Sequence, residues 1–113
     1  MPQITRAIPP DELRELLEHP PRATLAFVRD GAVDAVPVLF HPGAGRHLFG
    51  VPRATGPLPA KAKLLIDDGP WHFDLRGVWM RGPVAPVDPP PGARDGLDWY
   101  ELSPEKSVAW HYG

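Results

Sequence analysis

The sequence predicts a mainly β domain, a small antiparallel β-barrel of six to seven strands with one short helix near its N-terminus. Seventeen prolines and eleven glycines cluster between short apolar stretches, as turns do between the strands of an all-β domain. Few stretches free of these residues are long enough for a helix. At 113 residues the chain has the size of one domain, which we place at residues 1–113.

Composition and charge exclude several classes of protein. The formal net charge is −2, whereas a nucleic-acid-binding domain is usually strongly basic. There is no cysteine, which excludes disulfides, thiolate metal sites and a cysteine nucleophile. The first residues lack the apolar segment of a signal peptide, and no apolar run is long enough to cross a membrane. We therefore expect a cytoplasmic protein that binds neither nucleic acid nor membranes.

One helix is predicted, from Asp11 to Glu18. Asp11 follows two prolines and is a favourable N-cap residue. Three leucines recur at helical spacing and form its apolar side, and Pro20-Pro21 ends it. A helix of about two turns is not stable alone, so we expect it to dock on the barrel.

The first two strands are predicted at Ala23–Arg29 and Ala32–Phe40. Asp30-Gly31 between them is a two-residue signal for a type I′ hairpin turn. Pro37 has no N–H group, so its position should lie at a sheet edge or a bulge. Both strands carry apolar residues on both faces, which predicts burial by the barrel interior on one side and by a helix or partner subunit on the other.

Five further strands are predicted, and the proline-rich connection Pro52–Ala60 is too broken for a helix. In the longest strand a polar face, which includes His72 and Asp74, ends at Gly77, where we expect a bulge or sharp bend. Two such side chains on one strand predict a solvated face rather than a metal site. The five strands span His47–Val51, Ala62–Asp68, Trp71–Val87, Leu97–Leu102 and Lys106–Tyr112.

The order of these segments resembles the pyridoxamine 5′-phosphate oxidase-like family, over roughly residues 12–113. The resemblance implies a flavin-binding split β-barrel, typically a homodimer. The segments that carry it are the hairpin running into Val36-Pro37-Val38, the pair Leu64–Asp68 and Arg76–Gly82, and the C-terminal Val108–Gly113.

The resemblance also implies where FMN would bind. The flavin ring would rest on the backbone around Val36, Pro37 and Val38, and the phosphate would be held after the third strand. Trp110 would stack near the flavin or a partner subunit, or close the barrel. The side chains that could hold the phosphate are Arg53, Thr55, Lys61 and Lys63. The same residues are equally compatible with a solvated surface. Among them Arg53 is nearest the end of the strand, and its planar guanidinium can bind two phosphate oxygens at once.

Two functions remain open at this point. One is a flavin-dependent oxidoreductase of unknown substrate that uses FMN or a deazaflavin. The other is a cofactor-free barrel dimer that serves as a binding or structural protein, favoured by Thr55–Pro59 standing where the family usually has a helix. No catalytic residue is predicted, because a flavin itself carries the redox chemistry.

Overall fold

The structure, a computed structural model, describes residues 5–6, 9–18, 22–68 and 76–112. This part of the chain contains one α-helix, one 3-10 turn at Arg53–Thr55 and nine strands, all paired antiparallel. The helix α1 spans Pro10–Glu18. The strands are β1 (Thr5–Arg6), β2 (Arg22–Arg29), β3 (Ala32–Pro37), β4 (Leu39–His41), β5 (Leu48–Pro52), β6 (Lys61–Asp68), β7 (Arg76–Pro86), β8 (Leu97–Leu102) and β9 (Lys106–Tyr112).

The predicted fold class is confirmed, with more strands than expected. The short β1 was not predicted, and the predicted strand Ala32–Phe40 is divided at Val38 into β3 and β4. The predicted strand Trp71–Val87 is described from Arg76, so the expected polar face at His72 and Asp74 lies outside the described residues.

The strands form an open sheet that curls into a split barrel. Their order is β3-β2-β6-β7-β8-β5-β4, with β9 paired to β7 and to β1. Strand β7 pairs with β6 along one edge and, along the other, first with β9 and then with β8. Strand β7 therefore joins the two halves of the barrel. The strands at the two ends of the order, β3 and β4, are consecutive in the chain and are connected through Val38.

The barrel interior is filled by alternate residues of the strands. Six of its side chains are almost completely shielded from solvent: Leu25, Phe49, Val51, Leu64, Ile66 and Leu102. The predicted helix is confirmed and begins one residue earlier than expected. Its Leu13 and Leu17 pack against this core, which explains how so short a helix is held in place. No helix in the described ranges has the length and apolarity needed to span a membrane.

The hairpin between β2 and β3 is confirmed. Asp30 has φ 53° and Gly31 has φ 79°, the two positive values that a type I′ turn requires. Pro37 lies at the end of β3, an end strand of the sheet, as its missing N–H predicts. The expected two-sided burial of this strand is wrong for the single chain. Most of β3 is exposed, and Val33 is 75% exposed, because no described element covers its outer side.

The expected bulge at Gly77 is also wrong. The register passes through Asp68–Arg76, Asp67–Gly77 and Ile66–Val78 without an extra residue on either strand. A Cβ atom at Gly77 would lie 2.7 Å from the ring of Trp110, so glycine is needed there for close packing. The change of strand partner occurs further on, near Gly82, where a Cβ atom would overlap the carbonyl oxygen of Ser103.

Candidate functional site

The outer face of the sheet, the side away from the core, carries a row of cationic side chains. On β6 and β7 the residues that point inward are buried, and Lys63 and Arg81 alternate with them. Lys63 pairs with Arg81, which pairs in turn with Lys106 of β9. Because neighbouring strands lie about 4.8 Å apart, the three backbone positions span about 10 Å. The topology thus brings together three cations that are far apart in the sequence.

These cations line a groove of about 990 Å³, which we call the cationic groove. Lys61, two residues before Lys63 on the same strand, lines it as well, and so does Glu105. Lys61 Nζ lies 3.1 Å from a carboxylate oxygen of Glu105, although both side chains are more than half exposed. The described lining of the groove therefore contains four cations and one carboxylate. Such a surface attracts an anion.

Trp79 lies beside the cationic groove and contacts two of its cations. The ammonium of Lys63 lies 4.1 Å from the centre of the indole ring, and the guanidinium of Arg81 lies 5.8 Å from it. Both distances fall in the range of cation–π attraction. Trp79 thus holds the two cations near each other without neutralising either charge.

Backbone contacts place Glu105 and Lys106 next to Arg81. The N–H of Glu105 donates to the carbonyl of Arg81 at 2.9 Å, and the N–H of Ser103 donates to Pro83 at 2.9 Å. The turn between β8 and β9 is therefore tied to β7. Only glycine at position 82 permits this approach, because a Cβ atom there would overlap Ser103.

The outer face also exposes apolar side chains around the cationic groove. Val28 is 59% exposed, Val33 75% and Val108 38%. Val28 pairs with Val33 at the end of the β2–β3 hairpin, and Val108 pairs with Trp79. Several large exposed apolar residues on one sheet face are typical of a binding or assembly surface.

The structure places Val36, Pro37 and Val38 at the corner where the chain crosses from one half of the barrel to the other. Pro37 is the last residue of β3 paired with β2, and the N–H of Val38 donates to the carbonyl of Ala23 at 3.0 Å. Pro37 and Val38 line a cleft of about 410 Å³. Ala35 pairs with Ala26 of β2, and Ala26 pairs with Lys63 of β6. Ala35 and Lys63 therefore lie in one cross-strand row, two strands apart.

The predicted phosphate-binding residues do not lie together. Lys61 and Lys63 line the cationic groove, and Arg53 and Thr55 are not among the residues that line it. The side chain of Arg53 is 68% exposed, and its Nε atom lies 3.3 Å from the carboxylate of Asp98. The role predicted for Arg53 stays a prediction, at a place separate from the two lysines.

The backbone of Thr55 takes part in a structural contact, and the phosphate-binding role predicted for its side chain stays a prediction. Its carbonyl accepts a hydrogen bond from the guanidinium of Arg29 at 2.9 Å, and Arg29 also donates to the carbonyl of Pro57 at 2.7 Å. These two bonds fasten the connection between β5 and β6 to the end of β2. That connection was expected to be too broken for a helix; it contains no α-helix and one 3-10 turn of three residues.

Trp110 lies on the outer face, on the same side of β9 as Lys106 and Val108. Its ring packs over Gly77, its partner across the β7–β9 pair. Ala109, the next residue along the chain toward the N-terminus, packs inward on the core. Trp110 is therefore a residue of the outer surface and not of the barrel interior.

The sequence did not reveal Trp79, Arg81 and Lys106 as members of this site. The signal that could have found them is the alternation Val78-Trp79-Met80-Arg81, which sends Trp79 and Arg81 to one face. In the described residues, no group of three or more histidines and carboxylates is arranged to hold a metal ion.

Comparison with known proteins yields structural neighbours only. No protein-family model matches, and no curated protein matches. The chain is similar to a provisionally assigned pyridoxamine 5′-phosphate oxidase from Corynebacterium glutamicum, with 13% identity over 99% of this chain and 96% of that chain and a TM-score of 0.73. It is similar to an FAD-binding protein from Mycobacterium smegmatis, with 15% identity, 97% and 100% coverage and a TM-score of 0.71.

A third similar structure is a heme storage protein from Vibrio cholerae, with 10% identity, 92% and 96% coverage and a TM-score of 0.70. At these identities the comparisons show the fold, while the ligands of the neighbours differ. The open antiparallel barrel and these neighbours together show that the chain has the split β-barrel fold of the pyridoxamine 5′-phosphate oxidase-like proteins.

Proposed function

We propose that the protein is a flavin-binding oxidoreductase that works as a homodimer and binds the flavin phosphate in the cationic groove. The observation that carries this proposal is the row Lys63, Arg81 and Lys106 on three neighbouring strands, joined by Lys61 in one groove. The substrate class stays open.

The charge of the cationic groove suits a phosphate. A phosphate dianion that leaves water needs charged or hydrogen-bonding partners, because its desolvation is otherwise very costly. Lys63 and Arg81 can supply charge-assisted hydrogen bonds, and the planar guanidinium can bind two oxygens at once. Their contact with Trp79 restricts both side chains before a ligand arrives, which lowers the entropic cost of binding.

The backbone of β3 suits the ring of a flavin. β3 is the end strand of the described sheet, so one edge of its backbone offers N–H and C=O groups without a described partner strand. The pyrimidine edge of a flavin carries the complementary acceptors and donor. Ala35, next to Val36, is about 10 Å from the position of Lys63, two strand spacings away. A flavin with its phosphate side chain extended can bridge the two.

A second copy of the chain would cover the exposed outer face. Val28, Val33 and Val108 are apolar and exposed, and a small domain rarely leaves several such residues uncovered on one face. A twofold interface would bury the same patch on both copies. It would also shield the flavin ring from water, which no described element of the single chain does.

The bound flavin would supply the electron transfer, and the chain would supply binding, orientation and exclusion of water. Lys63 and Arg81 would fix the phosphate, and the edge of β3 would fix the ring. The apolar residues around the cationic groove would keep solvent from the reacting edge. A reaction catalysed in this way requires no acid–base residue from the chain.

A titration with two flavins tests the proposal. The protein should bind FMN with a shift of the visible flavin band, and should bind riboflavin, which lacks the phosphate, at least about tenfold more weakly, as expected for the loss of charged hydrogen bonds. Hemin should be titrated as a third compound, because one structural neighbour is a heme storage protein. A protein that binds neither flavin would overturn the proposal and favour the cofactor-free dimer.

A further inference from the structure

A cleft lies between the helix and the connection from β4 to β5, away from the cationic groove. Its volume is about 370 Å³, within the range of about 300–1,000 Å³ for small-molecule sites. Leu13 and Leu17 of α1 and the nearly buried Phe40 give it an apolar floor. These side chains pack on the core side of the sheet, whereas the cationic groove is on the outer side. The two sites are therefore distinct.

The loop that forms the other wall of the cleft has a defined shape. Ala44 and Gly45 adopt left-handed backbone conformations with φ of 51° and 71°, and the N–H of Arg46 donates to Gly43 at 2.9 Å. The guanidinium of Arg46 donates hydrogen bonds to both carboxylate oxygens of Glu101, at 3.0 and 2.8 Å. The loop is thus fixed to β8 before any ligand binds.

Two side chains offer hydrogen-bond donors to a ligand in the cleft. Arg14 makes no ion pair within the described part of the chain and lines the cleft from the helix. His47 lines it from the loop and is half-buried, with its ring 6.4 Å from that of Phe40. Its backbone carbonyl accepts a hydrogen bond from the N–H of Leu102, while its ring makes no hydrogen bond to the described residues. Glu18 also lines the cleft and disfavours a second negative group.

We propose that this cleft binds a small apolar monocarboxylate, whose apolar body lies on Leu13, Leu17 and Phe40 and whose carboxylate accepts hydrogen bonds from Arg14 and His47. An apolar floor with a few convergent polar groups is the usual architecture of a small-molecule site. A bound carboxylate would join the helix to the loop and thereby stabilise the docking of α1. The proposal does not depend on flavin binding.

Calorimetric titration of the full chain with 3-phenylpropionate and with its amide, which has the same shape but no charge, tests the proposal. The acid should bind at millimolar concentration or below, and the amide about tenfold more weakly. Arg14→Gln should weaken binding of the acid by about tenfold and leave the amide unchanged. Arg94→Gln, a change of an exposed arginine outside the cleft, is the matched control and should have no effect.

Amide chemical shifts locate the bound acid. They should change along α1 and at residues 40–47, and not at Lys63 or Arg81. The proposal is overturned if no binding occurs up to about 10 mM, if acid and amide bind equally, if Arg14→Gln has no effect, or if the shift changes lie outside the cleft.

Discussion

Trp79 contacts two cations of the cationic groove, Lys63 and Arg81, through its indole ring. Cation–π contacts at exposed sites contribute about 0.5–1 kcal/mol each, too little to neutralise a cation but enough to restrict where it points. Lys63 and Arg81 therefore keep their charge for an anion. In the proposed function, these two residues provide most of the affinity for the flavin phosphate.

Removal of either cation should weaken FMN binding and spare riboflavin binding. We expect Lys63→Ala and Arg81→Ala each to cost about 1.5–3 kcal/mol in FMN affinity, the usual contribution of a charged hydrogen bond. Arg94→Ala, in an exposed loop away from the cationic groove, should bind FMN as the parent protein does. Flavin absorbance titrations measure all three variants. Equal loss of FMN and riboflavin affinity would contradict a specific role at the phosphate.

Arg53 provides the competing assignment. If the phosphate is held after β5, as the family resemblance implies, Arg53→Ala should cost about 1.5–3 kcal/mol and Arg53→Lys should recover part of the loss. If the phosphate is held in the cationic groove, Arg53→Ala should have little effect. The same titration distinguishes the two places. The guanidinium of Arg53 makes only a long, exposed contact with the carboxylate of Asp98, at 3.3 Å. Arg53→Ala should therefore still fold, so either result reports on FMN binding.

Gly77 should be intolerant of a methyl group because of Trp110. A Cβ atom at Gly77 would lie 2.7 Å from the Trp110 ring, so Gly77→Ala should lower the free energy of unfolding by about 1–3 kcal/mol, as overpacking does. Combined with Trp110→Ala, the same change should cost less, because the ring is gone and only the contact with the Ile66 carbonyl oxygen, at 2.9 Å, remains. Urea denaturation of the single and double variants measures the difference, and an equal cost in both backgrounds would contradict the explanation.

Residue roles were only partly predictable from the sequence. Lys61 and Lys63 were predicted as phosphate ligands because the resemblance places the phosphate in the connection after the third strand; both line the cationic groove, and their role stays a prediction. Arg81 and Lys106 were missed, because the register that places them beside Lys63 is set by pairing between distant strands. The role of Gly77 was misjudged for the same reason, since its need for glycine comes from the Trp110 ring and the Ile66 carbonyl on the two neighbouring strands.

At the scale of elements, the contact between the β4–β5 connection and β8 should make the stability of the fold depend on pH. Burial lowers the pKa of His47 below its ordinary value of 6.5, although the negative charge of Glu101 partly opposes this. The unfolded chain therefore binds a proton at His47 more readily than the folded chain does. Stability should fall as the pH falls from about 7 through 6.5 toward the folded-state pKa.

Glu101 acts in a lower pH window, which separates the two effects. The hydrogen bond from Arg46 lowers the pKa of Glu101 below its ordinary value of 4.5. The stability that this bond contributes to the folded state is therefore present above pH 4.5 and is lost only as the pH falls below it. Between pH 7 and 5, His47→Gln should therefore show a flatter stability profile than the parent protein. Thermal unfolding across this range measures the slope, and identical slopes would contradict the role of His47.

Elements whose signals are local were predicted well, and elements that depend on distant contacts were not. Asp30-Gly31 specified its turn through two residues alone, and both adopt the expected positive φ. The helix was marked by its own prolines and leucines. A bulge or sharp bend was predicted at Gly77 from an alternation pattern, but β7 is regular there and changes its partner strand near Gly82, which no local pattern encodes.

At the scale of the whole molecule, the exposed valines predict assembly. Val33 is 75% exposed in the single chain, and we expect a second copy to cover it. Val33→Lys should convert the proposed dimer into a folded monomer, because burial of an unpaired ammonium is costly. Sedimentation velocity measures the change. Ala85→Lys, an exposed site on the other half of the barrel, is the control that should remain dimeric. A monomeric parent protein would contradict the assembly.

The proposed function unites these scales, because the cationic row, the edge of β3 and the partner subunit would each hold one part of a flavin. Its central claim is that the phosphate end lies in the cationic groove. A map of amide chemical-shift changes on addition of FMN, compared with riboflavin, tests that claim directly. The account predicts that the changes specific to FMN lie at residues 61–63, 81 and 105–106. Changes confined to residues 53–55, or no changes at all, would contradict it.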